Sequence, residues 1–275
     1  MSENKKKKVK SEEKVENKFD FIAWIKKNYV VVIAVAVALI IAGIVIGFAF
    51  GSGNNSNNNQ GDNSGDNEVM GTGACEYLDN RDISGRDIKY VEMCIEGYGK
   101  LVILLDATTA PKTVENFISL VNKGFYNGLT FHRIMDNFMV QGGDPKGNGT
   151  GGSDKDIIGE FDSNGHINDI SHKYGVISMA RSGGDESNNY GRDTASSQFF
   201  ICNADATSLD GEYAAFGYVV EGLSVIDAVT EGTLKKVQEM YGADYIYWLY
   251  SANGAIDASI QPKIKYVKVL DSWSK

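Results

Sequence analysis

Two short stretches of the chain concentrate side chains able to act together on a substrate. Phe131–Asp144, FHRIMDNFMVQGGD, sets one arginine among phenylalanine, methionine and glutamine. Ser196–Asn203, SSQFFICN, adds a second glutamine and two more phenylalanines. The first stretch reads as two strands joined by a turn at Asp136-Asn137, and successive side chains of a strand point to opposite faces. Arg133 then faces one side, Phe138, Met139 and Gln141 supply one wall of a groove, and Gln198 and Phe200 share a face of the other strand. The same alternation turns His132 away from Arg133, as a packed structural histidine. An apolar pocket with one fixed cation and one amide suits a reaction that makes and cuts no bond. Rotation about the peptide bond before proline has a barrier of about 20 kcal/mol because amide resonance must be broken. A guanidinium stays protonated and presents several donors, enough for the pyramidal nitrogen of the twisted amide and the prolyl carbonyl together. A preorganised donor of this kind is worth roughly 3–4 kcal/mol, about 10²–10³ in rate. Arg133 is the residue expected to supply it.

The elements that would hold these residues are mostly strands. Strand-like runs occupy 90–95, 100–106, 129–135, 138–142, 176–180, 197–202, 214–220 and 263–270. One helix follows Pro111, with Val114, Phe117, Ile118 and Val121 at helical spacing and Gly124 as its stop. A second is expected over about 224–231, with Ser224 at its start and Val225, Ile226 and Val229 facing inward. Many short strands with two clear helices point to a β-barrel or sandwich closed by helical plugs.

FHRIMDNFMVQGGD, GNGTGG (147–152), GVISMAR (175–181), SSQFFI (196–201) and LDGEYAAFG (209–217) occur in one order, and together they resemble the cyclophilin family. The resemblance covers about 88–232 and a last strand at 262–270. It implies a mainly β fold, a closed eight-stranded antiparallel barrel capped by two helices, and cofactor-free isomerisation of prolyl bonds. Carried over by position, Arg133 matches the catalytic arginine. Phe138, Met139, Phe200 and Leu209 match the proline pocket, and Gln141 the glutamine beside the substrate backbone. Ala180 and Arg181 match the pair whose main chain aligns the peptide. Ser208 stands where many eukaryotic members carry Trp, which weakens one pocket edge and should impair cyclosporin binding. Tyr213 replaces the usual His of the pocket rim. Arg181 replaces Asn, and the loop after it, 182–195, is extended.

Charge and hydropathy divide the chain. Residues 1–28 hold nine Lys against five acidic residues, so the formal net charge of −9 leaves about −13 on the rest. A globular part that acidic lacks the basic surface that nucleic-acid binding needs. Tyr29–Phe50 carries no charge, and at about 1.5 Å per residue it reaches roughly 33 Å, enough for a hydrocarbon core of roughly 30 Å. Trp24, Lys26, Lys27 and Tyr29 flank its start, which orients the N-terminus to the cytoplasm and everything after residue 50 outside. The expected organisation is a basic tail (1–28), a transmembrane helix (29–50), a flexible Gly/Ser/Asn/Asp linker (51–67) and an isomerase domain (68–275).

Other features read as structural. The Gly-rich run 142–152 lacks the phosphate-loop pattern, and Asp162, Asn164 and Asp169 lack calcium-loop spacing. No metal site or cofactor is expected. Cys94 points away from the Val91, Met93 and Ile95 face, where Cys75 could reach it, so a disulfide and two thiols both fit. Cys202 reads as a small core hydrophobe. Residues 233–261, with Tyr241, Tyr245, Tyr247, Trp248 and Tyr250, depart from the family and read as an insertion, either packed on the barrel or offered for docking. Its removal is expected to leave isomerisation intact. The expected function is isomerisation of proline-containing unfolded or secreted polypeptides at the outer membrane face. The alternatives are a non-catalytic module that binds proline-containing partners and an adhesive surface protein.

Overall fold

The computed structural model describes residues 69–183 and 191–274; the basic tail, the apolar run 29–50, the linker 51–67 and residues 184–190 lie outside the described residues. Eight strands carry the fold: β1 (Ile88–Ile95), β2 (Gly99–Asp106), β3 (Thr130–Met135), β4 (Met139–Asp144), β5 (Val176–Met179), β6 (Phe199–Cys202), β7 (Ala215–Glu221) and β8 (Ile264–Leu270). Each coincides with an expected run. The helices are α1 (Glu76–Asp79), α2 (Pro111–Asn122), α3 (Ser224–Tyr241) and α4 (Tyr245–Ser251). All strand pairings are antiparallel in one sheet, ordered β3-β4-β6-β5-β7-β2-β1-β8.

The sheet curls into a half-barrel around an apolar core. β2 shows how sequence makes this surface two-sided: Leu101, Ile103 and Leu105 enter the main core, while Val102 and Leu104 join a second cluster with Cys75, Tyr218 and Val220. The arm before β1 covers that outer face. It is tied on by bonds from the Lys100 amide to the Val69 carbonyl and from the Cys75 amide to the Val219 carbonyl. Phe117 of α2 meets Phe199 edge-on and packs against Tyr126 and Phe216 inside the barrel. Pro at the first turn and a left-handed Gly124 (φ 65°) bound that helix.

α3 does not stop at 231 but runs to Tyr241. Its buried stripe continues through Thr230, Thr233 and Val237, and the two threonines conceal the pattern because they are not apolar. Each hydroxyl donates back to the carbonyl four residues earlier, Ile226 and Val229 at 2.9 and 2.6 Å, and so is buried without an unmet donor. Gly232 sits in mid-helix against Tyr98, where an added Cβ would lie 3.0 Å from the ring and its hydroxyl. The second expected helix therefore becomes a long α3 followed by the short α4, while the first stands as α2.

The outer edge of β3 is also paired. Thr130 bridges Lys263, the Phe131 amide donates to the Pro262 carbonyl at 2.9 Å, and Ile264 exchanges bonds with Gly128 and Leu129 at 2.8 Å. Farther along, Arg133 bridges Ala255, Ile134 donates to the Gly254 carbonyl at 2.8 Å, and Ile256 to that of His132 at 2.9 Å. The stretch expected as an insertion thus returns along the strand that carries Arg133. Among the described residues, no helix is long and apolar enough to cross a membrane.

Candidate active site

The β3–β4 hairpin turns at Asp136–Phe138, with Asn137 in the left-handed region (φ 54°) that Asn tolerates. Asn203, just after β6, holds the turn from below: its Oδ1 accepts from the Phe138 amide at 2.7 Å, and its amide donates to the Met135 carbonyl at 3.0 Å. Its amide also reaches the Thr230 hydroxyl of α3, at 3.2 Å. β4 then pairs with β6, setting Gln141 opposite Phe200.

These strands present a cleft of about 490 Å³ lined by Arg133, Phe138, Met139, Gln141, Ala180, Arg181, Phe200, Leu209 and Tyr213. Nine of the ten residues read from the sequence converge there. Gln198, the tenth, lines an adjoining cleft with Gly149, Gly151 and Ser196. The apolar members form their own cluster, apart from the main core: Met139, Phe200, Cys202 and Ala206, with Phe138, Ala180, Leu209 and Tyr213 against them. Phe200 is the floor, 4% exposed, stacked on His172 at 6.0 Å and 16° and edge-on to Tyr213 at 5.9 Å. His172 is itself fixed between Asp210 (2.9 Å) and the Ser178 hydroxyl (3.0 Å). Beneath Phe200, burial pushes the Cys202 thiol up to about 12, so it behaves as a small hydrophobe.

The polar wall is one directed chain. Arg133 Nη1 donates to Gln141 Oε1 at 3.1 Å, Gln141 Nε2 to Gln198 Oε1 at 2.9 Å, and Gln198 Nε2 to the Gly151 and Gly149 carbonyls at 2.7 and 3.1 Å. A guanidinium can only donate, so it sets the direction of every amide behind it. Burial pulls the Arg133 pKa below the ordinary arginine range, against an opposing effect of Tyr213; the group remains a cation. On its other edge Nε donates to the Asn253 carbonyl at 2.7 Å and Nη2 to Asn253 Oδ1 at 3.2 Å. Across the cleft, Arg181 lies over the Tyr213 ring at 4.7 Å and donates to the Glu212 carbonyl at 3.0 Å.

Two expectations need correction. His132 does not turn to the far side of β3, because it also lines the cleft. The β3–β4 register slips between Phe131 and Arg133. A bulge of this kind gives two residues to one partner and re-aims a side chain. His132 is nonetheless packed as expected, 3% exposed, and burial lowers its pKa. The 233–261 stretch is also inseparable from the site: Ala252, Asn253 and Ala255 form a wall of the cleft. Deleting it would remove two acceptors of Arg133. Sequence reasoning missed Asn148, Gly149 and these three wall residues; the Asn253-Gly254 pair signals a turn, but nothing local says where that turn docks. Among the described residues, no cluster of His, Cys, Asp and Glu is arranged to hold a metal ion.

The chain is similar to known proteins in sequence and in fold. The sequence model described as cyclophilin type peptidyl-prolyl cis-trans isomerase/CLD matches residues 90–247. A peptidyl-prolyl cis-trans isomerase of Helicobacter pylori is 44% identical over 138 residues, 50% of this chain and 77% of the relative. Peptidyl-prolyl cis-trans isomerase B of Bacillus subtilis is 38% identical over 148 residues, 54% of this chain and 95% of the relative. The crystal structure of a cyclophilin type isomerase from Cryptosporidium parvum superposes with a TM-score of 0.53 at 26% identity, covering 68% of this chain and 100% of that one. A second, determined in the presence of the dipeptide Ala-Pro, gives 0.51 at 26% identity, covering 66% and 99%. With more than half its length matched by the family, the chain belongs to the cyclophilin-type peptidyl-prolyl cis-trans isomerases.

Proposed function

We propose that the chain isomerises prolyl bonds in secreted or surface polypeptides, with Arg133 as the donor that stabilises the twisted amide. The observation that carries this reading is the guanidinium itself. Three of its N–H groups meet oxygen acceptors on Asn253 and Gln141; the other two meet only the weakly accepting sulfurs of Met135 at 3.2 Å and Met139 at 4.0 Å, which a ligand oxygen or nitrogen can displace. It stands at the lip of an apolar cluster floored by Phe200 and Met139. A proline ring seated there puts its amide within reach of a cation that needs no reorganisation during rotation. Ala180 and Arg181 align the peptide backbone, Gln141 contacts it, and Leu209 and Tyr213 bound the ring. The Cryptosporidium parvum structure obtained with Ala-Pro supports a proline-containing ligand here.

We read the bonds between the start of β3 and β8 as the seam of a closed barrel, which would make the cleft wall rigid. The uncharged run 29–50 and the Lys-rich residues before it support a single membrane anchor with the isomerase outside the cytoplasm. Translocated chains emerge unfolded beside the membrane, where slow prolyl steps limit folding.

A protease-coupled proline assay on residues 68–275 tests the reading. Wild type should accelerate isomerisation, and Arg133→Ala should lose about 10²–10³ of that rate. Equal rates in the two would remove Arg133 from catalysis, and peptide binding without acceleration by wild type would favour a non-catalytic binding module.

A further inference from the structure

Arg133 is a long side chain at a cleft mouth, and holding it in one pose costs about 2 kcal/mol of rotamer freedom. Two residues hold it by oxygen acceptors around its edge, and Met135 Sδ also lies 3.2 Å from Nη2. Gln141 takes Nη1; Asn253 takes both Nε and Nη2, through its carbonyl at 2.7 Å and its Oδ1 at 3.2 Å. One residue therefore presents a fork of two oxygens to one edge of the guanidinium, as a carboxylate would. Unlike a carboxylate, this fork is neutral, and it leaves the positive charge undiminished for the amide.

The backbone is built for that pose. Asn253 adopts φ 51°, a left-handed conformation that Asn accepts more readily than most residues. At Gly254 (φ 78°) an added Cβ would lie 2.4 Å from Met135 Cγ and 3.0 Å from the Ile134 carbonyl, so the turn approaches β3 only because this residue is Gly. The end of α4 anchors the turn: the Ala252, Asn253 and Gly254 amides donate to the Trp248, Tyr250 and Leu249 carbonyls at 2.9, 3.0 and 2.7 Å. Trp248 in turn stacks on Tyr241 at the end of α3, at 5.3 Å and 28°. α3 is seated in the core through Val225, Ile226, Val229 and Val237.

We propose that Asn253 is a positioning residue for the isomerase reaction, a neutral two-oxygen fork by which the α3–α4 segment fixes the guanidinium of Arg133 toward the cleft. This rests on Arg133 being the reacting donor. It gives the aromatic stretch after α3 a role in catalysis rather than in packing alone.

The test compares full-length wild type with Asn253→Gly, Asn253→Asp and Arg133→Ala. Glycine keeps the positive φ and the main-chain oxygen and removes the side chain, and with it Oδ1 of the fork. Asn253→Gly should lower kcat by roughly ten- to a hundredfold, the effect of a reacting group left about an ångström out of place. Its KM should stay within about threefold, since an effect confined to the transition state leaves substrate binding nearly unchanged. In spectra of 15N-arginine-labelled protein, rotation about the Arg133 Cζ–Nη2 bond should be slow in wild type and Asn253→Asp and fast in Asn253→Gly. Full kcat in Asn253→Gly beside an inactive Arg133→Ala would overturn the positioning role and leave the arginine's role standing. A fall in kcat with unchanged rotation would also overturn it, because Asn253 would then act by another route. Wild-type rates in Arg133→Ala would remove both claims.

Discussion

Phe199 and Phe200 are neighbours on β6 that point to opposite faces, so replacing each with Leu separates stability from catalysis on one strand. Phe199 lies in the main core and meets Phe117, Tyr126 and Phe131 edge-on at 5.6, 5.6 and 6.0 Å. At about 0.5–1.5 kcal/mol per aromatic pair, Phe199→Leu should cost roughly 3 kcal/mol. Phe200 makes one such edge contact, with Tyr213, and one stack, on His172, so Phe200→Leu should cost roughly 1–2 kcal/mol. At about 2–4 °C per kcal/mol for a unit of this size, the melting temperature should fall by roughly 6–12 °C for Phe199→Leu and roughly 2–8 °C for Phe200→Leu. Turnover should rank the other way. Phe200 floors the cleft, and losing part of an apolar pocket wall costs about 1–3 kcal/mol of recognition. kcat/KM for a prolyl peptide should therefore drop about 10- to 100-fold in Phe200→Leu and less than about threefold in Phe199→Leu. Melting curves and the protease-coupled assay on the same samples measure both. If loss of activity follows loss of melting temperature across the pair, Phe200 is an ordinary core residue and the pocket assignment is wrong.

Three further outcomes are expected. Burial holds His132 and His172 below the ordinary imidazole pKa of 6.5, outweighing the carboxylates Asp144 and Asp210 that oppose it. Below 6.5 the unfolded chain therefore takes up protons that the folded one refuses. Denaturant melts should show stability falling toward acid by up to about 1.4 kcal/mol per pH unit for each histidine, and His132→Gln should halve the slope; a flat profile would contradict buried neutral imidazoles. Ser208 is exposed on the turn Thr207–Leu209, where many eukaryotic cyclophilins carry Trp. Ser208→Trp should tighten cyclosporin binding about 10- to 100-fold by calorimetry, from roughly 1.5–3 kcal/mol of aromatic burial, whereas no gain would place Ser208 off the rim. The full-length chain should stay with membranes through alkaline carbonate extraction and be digested by protease added to intact cells; release by carbonate would argue against an anchor at 29–50.

The strands were legible because alternation and turn residues agree along each of them. All eight lie where the runs at 90–95 through 263–270 placed them, with ends moving by no more than two residues. Arg133, Met139, Gln141 and Phe200 were legible because alternation on those strands places them, whereas Ala180, Arg181, Leu209 and Tyr213 lie outside the strands and were legible only through the family resemblance. What stayed hidden is what a linear pattern does not carry. His132 was assigned to the wrong face because a bulge shifts the period of two by one residue without a side-chain signature. The length of α3 was masked by Thr230 and Thr233, whose burial depends on bonds to the preceding turn, and by Gly232, which sits against Tyr98. Asn253 was missed because its partner lies 120 residues away, a separation that only the folded chain closes.

On-enzyme rotation observed at equilibrium tests the arginine most directly, since it separates the barrier from binding. Two-dimensional exchange NMR of a prolyl peptide with saturating residues 68–275 gives the cis-to-trans rate on the protein, and a titration gives the affinity. Arg133→Gln should slow the bound rotation by about 10²–10³ while changing affinity by less than about tenfold, because its donors matter most when the amide is twisted. An unchanged bound rate, or a loss confined to affinity, would mean that the guanidinium holds the peptide and does not lower its barrier.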